Sequence, residues 1–241
     1  MATALYLLGS GIQSTLHMTE ETRQALRTCK KVFVLHADAA VIRDIEAYGP
    51  EVIDVADMYD GITIRQDAYR AIADRVIAEA AASAPVAFMV HGHPLFLVSA
   101  SEYLIELAAE NGIRTRVLPG ISSFDTLMCD LGLDFGYGLQ MFDTSTMLSC
   151  NWTPNPAVPM LLFQLATTLD PRVTKGQRTG EVLKPIVDLL TPLYGPDHLT
   201  KIISSATSLL EGPEIVELTI AELASGNVDL TRRPTLYVPA K

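Results

Sequence analysis

Tyr59, Arg65 and Tyr69 set two phenols and a guanidinium six and four residues apart, a group able to take a proton and hold an anion. Arg65 and Tyr69 stand four apart in a stretch with helical apolar spacing, so their side chains emerge on one face within reach of each other. Tyr59 lies in Asp57-Met58-Tyr59-Asp60-Gly61, where a loop can fold it back over the start of that helix. A phenol beside a guanidinium loses its proton more readily and can act as a base. The guanidinium stays charged at any relevant pH and can hold an oxygen that gains negative charge. The same pair on a surface helix is commonly a solvated stacking pair, so the surroundings decide between the two readings.

The helix expected over residues 64–82 carries Tyr69, Ile72, Ala73, Val76 and Ile77 on one apolar face. Before it, Ala4-Leu5-Tyr6-Leu7-Leu8 reads as a buried strand ending in Gly9-Ser10-Gly11, and Thr19-Glu20-Glu21-Thr22 as a capped helix start. Val32-Phe33-Val34-Leu35 is a second buried strand, and residues 51–55 alternate in polarity as an edge strand does. Residues 85–90 form the next strand, residues 101–111 a helix closed by Gly112, and residues 114–118 a strand stopped by Pro119-Gly120. Strands alternating with helices imply a mostly parallel sheet covered on both faces.

After Gly120 the texture changes. A helix is expected over residues 122–131 and a Pro-rich stretch over residues 153–159. A strand over residues 160–165, a helix over residues 180–194, and strands near 201–205, 214–218 and 235–238 complete a second lobe. The expected division is residues 1–119 and 120–241, an α/β chain with a mostly parallel sheet in the first lobe and a mixed sheet in the second.

In open parallel sheets, ligands sit beyond the carboxyl ends of the strands, where loops diverge and helix amino termini point free N–H groups outward. Two loops qualify. In residues 91–98, Gly92 permits close backbone approach and Pro94 stiffens the turn. Residues 118–123 lead into a helix whose start is supplied with the hydroxyls of Ser122 and Ser123. Each turn alone is ordinary punctuation, and Leu8-Gly9-Ser10-Gly11 lacks the glycine spacing of a dinucleotide fingerprint.

Taken in order, these loops resemble the tetrapyrrole methylase family, in which a first apolar strand ends in a small-residue turn, a glycine-x-proline loop holds S-adenosylmethionine, and a proline-glycine-hydroxyl turn follows. The resemblance runs over nearly the whole chain, to Pro234-Thr235-Leu236-Tyr237-Val238-Pro239. It implies the two-lobed fold of that family with an active-site cleft between the lobes. The family usually has aspartate between glycine and proline, whereas His93 stands here. Gly-His-Pro resembles instead the borosin branch, enzymes that methylate backbone amides of ribosomal peptides, and the spacing of Tyr59, Arg65 and Tyr69 resembles that branch's catalytic pattern. Losing the N–H proton and holding the resulting imidate is what amide methylation requires, because the amide lone pair is delocalised into the carbonyl.

The resemblance points to His91, His93, Phe96, Ser122, Ser123, Gln164, Pro234 and Thr235 as residues that contact S-adenosylmethionine, with S-adenosylhomocysteine as product. His91 stands where that branch commonly has a tyrosine. It reads either as a replacement for the tyrosine's hydrogen bond, with a catalytic role as a proton acceptor, or as a packed histidine at a strand end. Gln164 reads either as a cofactor contact or as a satisfied core polar group. No metal is implied, since His91 and His93 lack a carboxylate spaced to complete a shell.

A net charge of -10, with basic residues no more clustered than Lys30-Lys31 and Arg232-Arg233, argues against nucleic acid as a partner. Three widely spaced cysteines fit reduced thiols. The start lacks a basic leader, and no apolar stretch reaches membrane-spanning length, so a cytoplasmic location is expected. The chain ends just after its closing strand, so the expected partner is a separate peptide precursor acted on in trans, with a homodimer implied by the resemblance. Two alternatives stand beside this. One is a C-methyltransferase of a tetrapyrrole precursor, whose carboxylates would call on Arg65, Arg114, Arg116 and Lys175; the other is a catalytically silent S-adenosylmethionine-binding module.

Overall fold

The structure is a computed structural model that describes residues 3–35, 39–173 and 176–241. Lys175, one of the cations named for a tetrapyrrole substrate, lies outside the described residues, as does the start of the chain at Met1 and Ala2. The chain divides into two compact units, residues 1–126 with 207–210, and residues 127–206 with 211–241.

The first unit is built on five parallel strands in the order β3-β2-β4-β1-β5, where β1 is Leu5–Gly9, β2 Lys31–Leu35, β3 Glu51–Asp54, β4 Val86–Val90 and β5 Thr115–Val117. β4 is buried along its whole length because it has a neighbour on each side, which is why its sequence is an unbroken apolar run. β3 is the edge strand its alternating polarity predicts, with an exposed residue at each end. Leu8, Leu26, Val32, Val34, Ile45, Met89 and Leu118 form one buried cluster, and each such side chain contributes roughly 1.5–3 kcal/mol.

Helices connect the strands. α1 is Glu20–Leu26, and the Thr22 N–H donates to Thr19 Oγ1 at 3.2 Å, the cap read from the sequence. α2, Ala39–Glu46, was not expected. α3 spans Arg65–Ser83 and buries Ala68, Ile72, Ala73, Val76, Ile77 and Ala80. Ala68 takes the buried position at its start, and Tyr69 is half-buried beside it. α4 is Ser99–Glu110, closed by Gly112 at φ 65°. α5 is Ser123–Leu131, and the division between the units falls within it.

The second unit is a mixed sheet in the order β6-β7-β10-β8-β9. β6 is Gln140–Asp143, β7 Met160–Phe163, β8 Leu199–Ser204, β9 Glu214–Thr219 and β10 Thr235–Val238; only the β6–β7 pair is parallel. α6, Thr144–Ser149, follows β6 directly, in a region the sequence reading left without elements. The strand expected over residues 160–165 ends at Phe163, because Gln164 turns left-handed and a 3-10 turn Leu165–Thr167 follows. The helix expected over residues 180–194 starts as a 3-10 turn Gly180–Leu183 before α7, Lys184–Tyr194. Met147, Leu162, Leu183, Ile186, Leu190, Ile202, Leu236 and Val238 belong to the core of this unit. Among the described residues, no helix is long and apolar enough to cross a membrane.

Candidate functional site

Because every strand of the first unit runs the same way, the loops after β1, β3, β4 and β5 leave from one edge of the sheet. The catalytic candidates and the first group of cofactor candidates all belong to that edge or to the helices starting there.

Val55 continues from β3 into a 3-10 turn Ala56–Tyr59, where the Met58 N–H donates to Val55 O at 3.2 Å. This turn carries Tyr59 inward, leaving it 9% exposed. Its ring meets Tyr69 edge to face, with centroids 6.0 Å apart and planes at 85°, an arrangement the ring quadrupoles favour. Arg65, the first residue of α3, is half-buried one turn before Tyr69. The triad is therefore not spread over a solvated helix face. Its two phenols are packed on each other, and its guanidinium stands at the start of the helix that carries one of them.

The loops after β1, β4 and β5 meet through glycine. The Gly92 N–H donates to Gly11 O at 3.0 Å and the Gly11 N–H to Gly92 O at 3.3 Å, an antiparallel bridge between two loops. A Cβ on Gly9 would stand 2.1 Å from the Gly92 carbonyl oxygen. One on Gly120 would stand 2.8 Å from that same oxygen and 3.1 Å from the Gly9 Cα. Three backbone segments thus approach as closely as glycine permits, so that edge offers main chain rather than side chains. A Cβ on Gly11 would strike His17 Cβ at 2.1 Å, and His17 Nδ1 accepts from the Gln13 N–H at 3.2 Å, which ties the turn after β1 to itself. Sequence reading treated Gly9 and Gly120 as turn residues; the close approach is a tertiary fact that their spacing along the chain does not carry.

The histidines behave differently from each other. His91 is exposed at the end of β4, so it is not the packed strand-end histidine that was one of its two readings. His93 is half-buried, and its Nδ1 accepts from the Leu95 N–H at 3.0 Å. That bond leaves Nε2 as the nitrogen that carries the proton of the neutral ring. Phe96 is half-buried in the same loop.

Ser122 is buried and already engaged. Its N–H and Oγ–H both donate to Asp125 Oδ2, at 2.7 and 2.6 Å, capping the start of α5. The serine-x-x-aspartate spacing is the signal that could have shown this from the sequence. Ser123 opens α5 half-buried.

In the second unit, Gln164 is exposed at the end of β7 with φ 62° and ψ 33°. A left-handed residue other than glycine costs about 1 kcal/mol or more and persists only where its surroundings fix it. Thr144 Oγ1, fully buried, donates to Gln164 O at 3.3 Å, and Thr167 supplies its N–H and Oγ1 to the same oxygen at 3.1 and 3.2 Å. Thr168 Oγ1 lies 3.0 Å from Thr144 Oγ1. Three groups thus hold the carbonyl of one strained residue, with Thr168 beside Thr144, and Gln164 is exposed rather than serving as a core polar group. Pro234 and Thr235 are buried at the start of β10.

A parallel α/β unit whose carboxyl-edge loops pack main chain on main chain, joined in sequence to a mixed-sheet unit, is the architecture of a methylase class. The chain belongs to the family of Tetrapyrrole (Corrin/Porphyrin) Methylases, whose sequence model matches residues 4–224. It is 28% identical over 243 residues to a methyltransferase/ribosomally synthesized cyclic peptide gymnopeptides precursor of Gymnopus fusipes, covering 100% of this chain and 58% of that protein. With a methyltransferase/ribosomally synthesized type I borosin cyclic peptide precursor of Serendipita vermifera subsp. bescii it shares 30% identity over 246 residues, covering 99% and 59%. The chain therefore spans well under two thirds of the length of these curated relatives. Among solved structures, uroporphyrin-III C-methyl transferase from Thermus thermophilus complexed with S-adenyl homocysteine is similar with a TM-score of 0.64 at 15% identity, over 98% of this chain and 91% of that one. At that identity the likeness establishes the fold.

Proposed function

We propose that this chain is an S-adenosylmethionine-dependent methyltransferase that methylates backbone amide nitrogens of a ribosomal peptide supplied in trans. The observation that carries the reading is the burial of Tyr59 against Tyr69 on the helix that Arg65 opens. The names of the two fungal relatives support the peptide as substrate.

Close packing at Gly9, Gly92 and Gly120 fixes the loops after β1, β4 and β5, the loops that the family resemblance assigns to the cofactor. His93 and Phe96 in the loop after β4, and the main chain near Ser122 and Ser123, would hold it there. When bound, S-adenosylmethionine supplies an electrophilic methyl group on a sulfonium, which leaves as a neutral thioether. Tyr69 would act as general base for the amide proton, while Arg65 holds the carbonyl oxygen as it becomes an imidate oxygen. Tyr59 packs on the Tyr69 ring, and His91, exposed at the end of β4, would serve as a second proton acceptor. With the cofactor bound, holding the amide nitrogen in line with the methyl group would be the protein's remaining contribution.

A tetrapyrrole reading needs several uncommitted cations. Arg116 is paired with Glu21, which weakens it as a carboxylate binder. The family resemblance also leads us to propose a homodimer in the cytoplasm, testable by light scattering and by cell fractionation. The deciding experiment incubates the purified chain with S-adenosylmethionine and a peptide encoded beside its gene. Tandem mass spectrometry should find methyl groups on backbone amides; methylation of a porphyrinogen and never of peptide would overturn the reading.

A further inference from the structure

The second unit holds a cavity of about 350 Å³ that the proposed reaction does not use. Its floor is one face of β8 and β9: Ile202 stands opposite Val216 and Ser204 opposite Glu214, with Leu218 two residues further along the same face. Val228 adds to the apolar floor, and Glu222, Ser225, Asn227, Asp229 and Arg232 contribute to the walls.

β9 is the terminal strand of its sheet, paired with β8 on one side and with no other strand among the described residues. Natural edge strands are commonly blunted by lysine, proline or a bulge. Glu214-Ile215-Val216-Glu217-Leu218-Thr219 has neither lysine nor proline and pairs in unbroken register, with Ile215 and Val216 38% and 42% exposed. The charge facing the cavity is mostly negative. Glu214, Glu222 and Asp229 face the cavity against a single guanidinium, Arg232, which already lies 3.5 Å from Glu214. Hydrogen bonds from Thr219 hold the Glu222 carboxyl below its ordinary range, and bonds from Thr231 do the same for Asp229, so both are ionised at neutral pH. A second copy of β9 would bring its own carboxylates to this acidic edge, which disfavours self-pairing. The volume is at the small end for ligand pockets and admits one or two side chains of a strand rather than a helix.

We propose that β9 and this cavity form a docking site for an extended, basic peptide segment, which adds to the sheet edge, seats an aliphatic side chain over Val216 and Leu218, and sets lysine or arginine against Glu214, Glu222 and Asp229. This is the strand-addition mode of peptide recognition. The assignment of that segment to the peptide substrate, outside its methylated stretch, rests on the function proposed above.

The test is fluorescence anisotropy with the full chain and two labelled peptides of equal length and charge, one alternating lysine with valine and one alternating lysine with glycine. The lysine–valine probe should bind at least tenfold more tightly, weaken as salt rises, and lose about tenfold on Val216→Lys, with thermal stabilisation by S-adenosylhomocysteine unchanged. Equal binding of the two probes, no binding of the lysine–valine probe, or unchanged binding by Val216→Lys would each overturn the proposal. A methylation assay separates it from the chemistry. If a short peptide is methylated and an added basic segment neither binds nor lowers KM, the docking site fails and the amide reading stands. Val216-dependent binding without any peptide methylation would give the reverse.

Discussion

Tyr59 and Tyr69 lie ten residues apart in sequence, and their rings meet edge to face with centroids 6.0 Å apart, Tyr59 being the more buried of the two. The contact separates the hydroxyls by function. Tyr69→Phe keeps the ring and removes only the proposed base, so kcat should fall by roughly 10²–10⁴ while the affinity for S-adenosylhomocysteine stays within a factor of about two. Arg65→Lys keeps a cation without the fork and should lower kcat with little change in thermal stability. Full turnover by Tyr69→Phe in a peptide methylation assay would remove it from the mechanism.

Gly9 and Gly120 should tolerate alanine no better than their contacts allow. A methyl on Gly9 would lie 2.1 Å from a backbone oxygen, and one on Gly120 2.8 Å from the same atom, so strands or loops must shift. Gly9→Ala should therefore cost more stability than Gly120→Ala, both above about 1 kcal/mol. Both should weaken binding of S-adenosylhomocysteine in a thermal-shift titration. Gly49→Ala serves as a control for backbone strain without crowding, since a Cβ there meets no atom within 4 Å although φ is 106°.

These outcomes bear on what a single sequence discloses. β1, β4 and α3 were legible because unbroken apolar runs and helical periodicity are written locally, and their ends carry glycine or proline. β6 and α6 were not: Gln140–Asp143 passes into Thr144–Ser149 with polar residues throughout, and the cap that starts the helix, Asp143 Oδ1 accepting from the Thr146 N–H at 2.7 Å, has no apolar run beside it. The same blindness hid the support of Gln164, because Thr144 is twenty residues away in sequence. At Ser122 the reverse holds: the aspartate three residues on takes its hydroxyl, so a ligand there would meet the main chain.

Gln164 can be tested apart from the strain it bears. Gln164→Gly suits a left-handed φ of 62° and removes the side chain, so thermal stability should hold or rise slightly. The affinity for S-adenosylhomocysteine should fall about tenfold, the equivalent of roughly 1.4 kcal/mol. Thr144→Val removes the buried hydroxyl under that residue and should cost about 1 kcal/mol of stability with a smaller loss of affinity. Titration calorimetry beside thermal melts distinguishes the two.

The three cysteines should separate cleanly by alkylation. Burial pushes the Cys29 thiol up to about 11, whereas Cys129 and Cys150 are exposed. At pH near 8 only about one Cys29 in a thousand would be thiolate even if reagent could reach it. Mass spectrometry of the native chain treated with iodoacetamide should show labels at Cys129 and Cys150, with Cys29 modified only after unfolding.

Asp170 makes stability depend on acid in a defined window. Arg172 donates to it three times, its backbone N–H to Oδ1 at 3.1 Å, Nε to Oδ1 at 2.8 Å and Nη2 to Oδ2 at 3.1 Å, and Arg178 Nη2 adds a fourth bond at 3.0 Å. These bonds, those from Arg172 foremost, hold the carboxyl far below the ordinary aspartate range. A group whose folded pKa is depressed stabilises the fold above its unfolded value, near 3.9, and loses that contribution as pH falls through the gap toward the folded value. Asp170→Asn removes the titration and leaves two guanidinium groups with a neutral acceptor. The melting temperature of the variant should lie below that of the unsubstituted chain near pH 7, and the difference should shrink steadily below about pH 4. Other carboxylates titrate in both proteins and cancel in the comparison. A gap that stayed constant from pH 7 to pH 3 would mean that Asp170 contributes through its shape and not its charge.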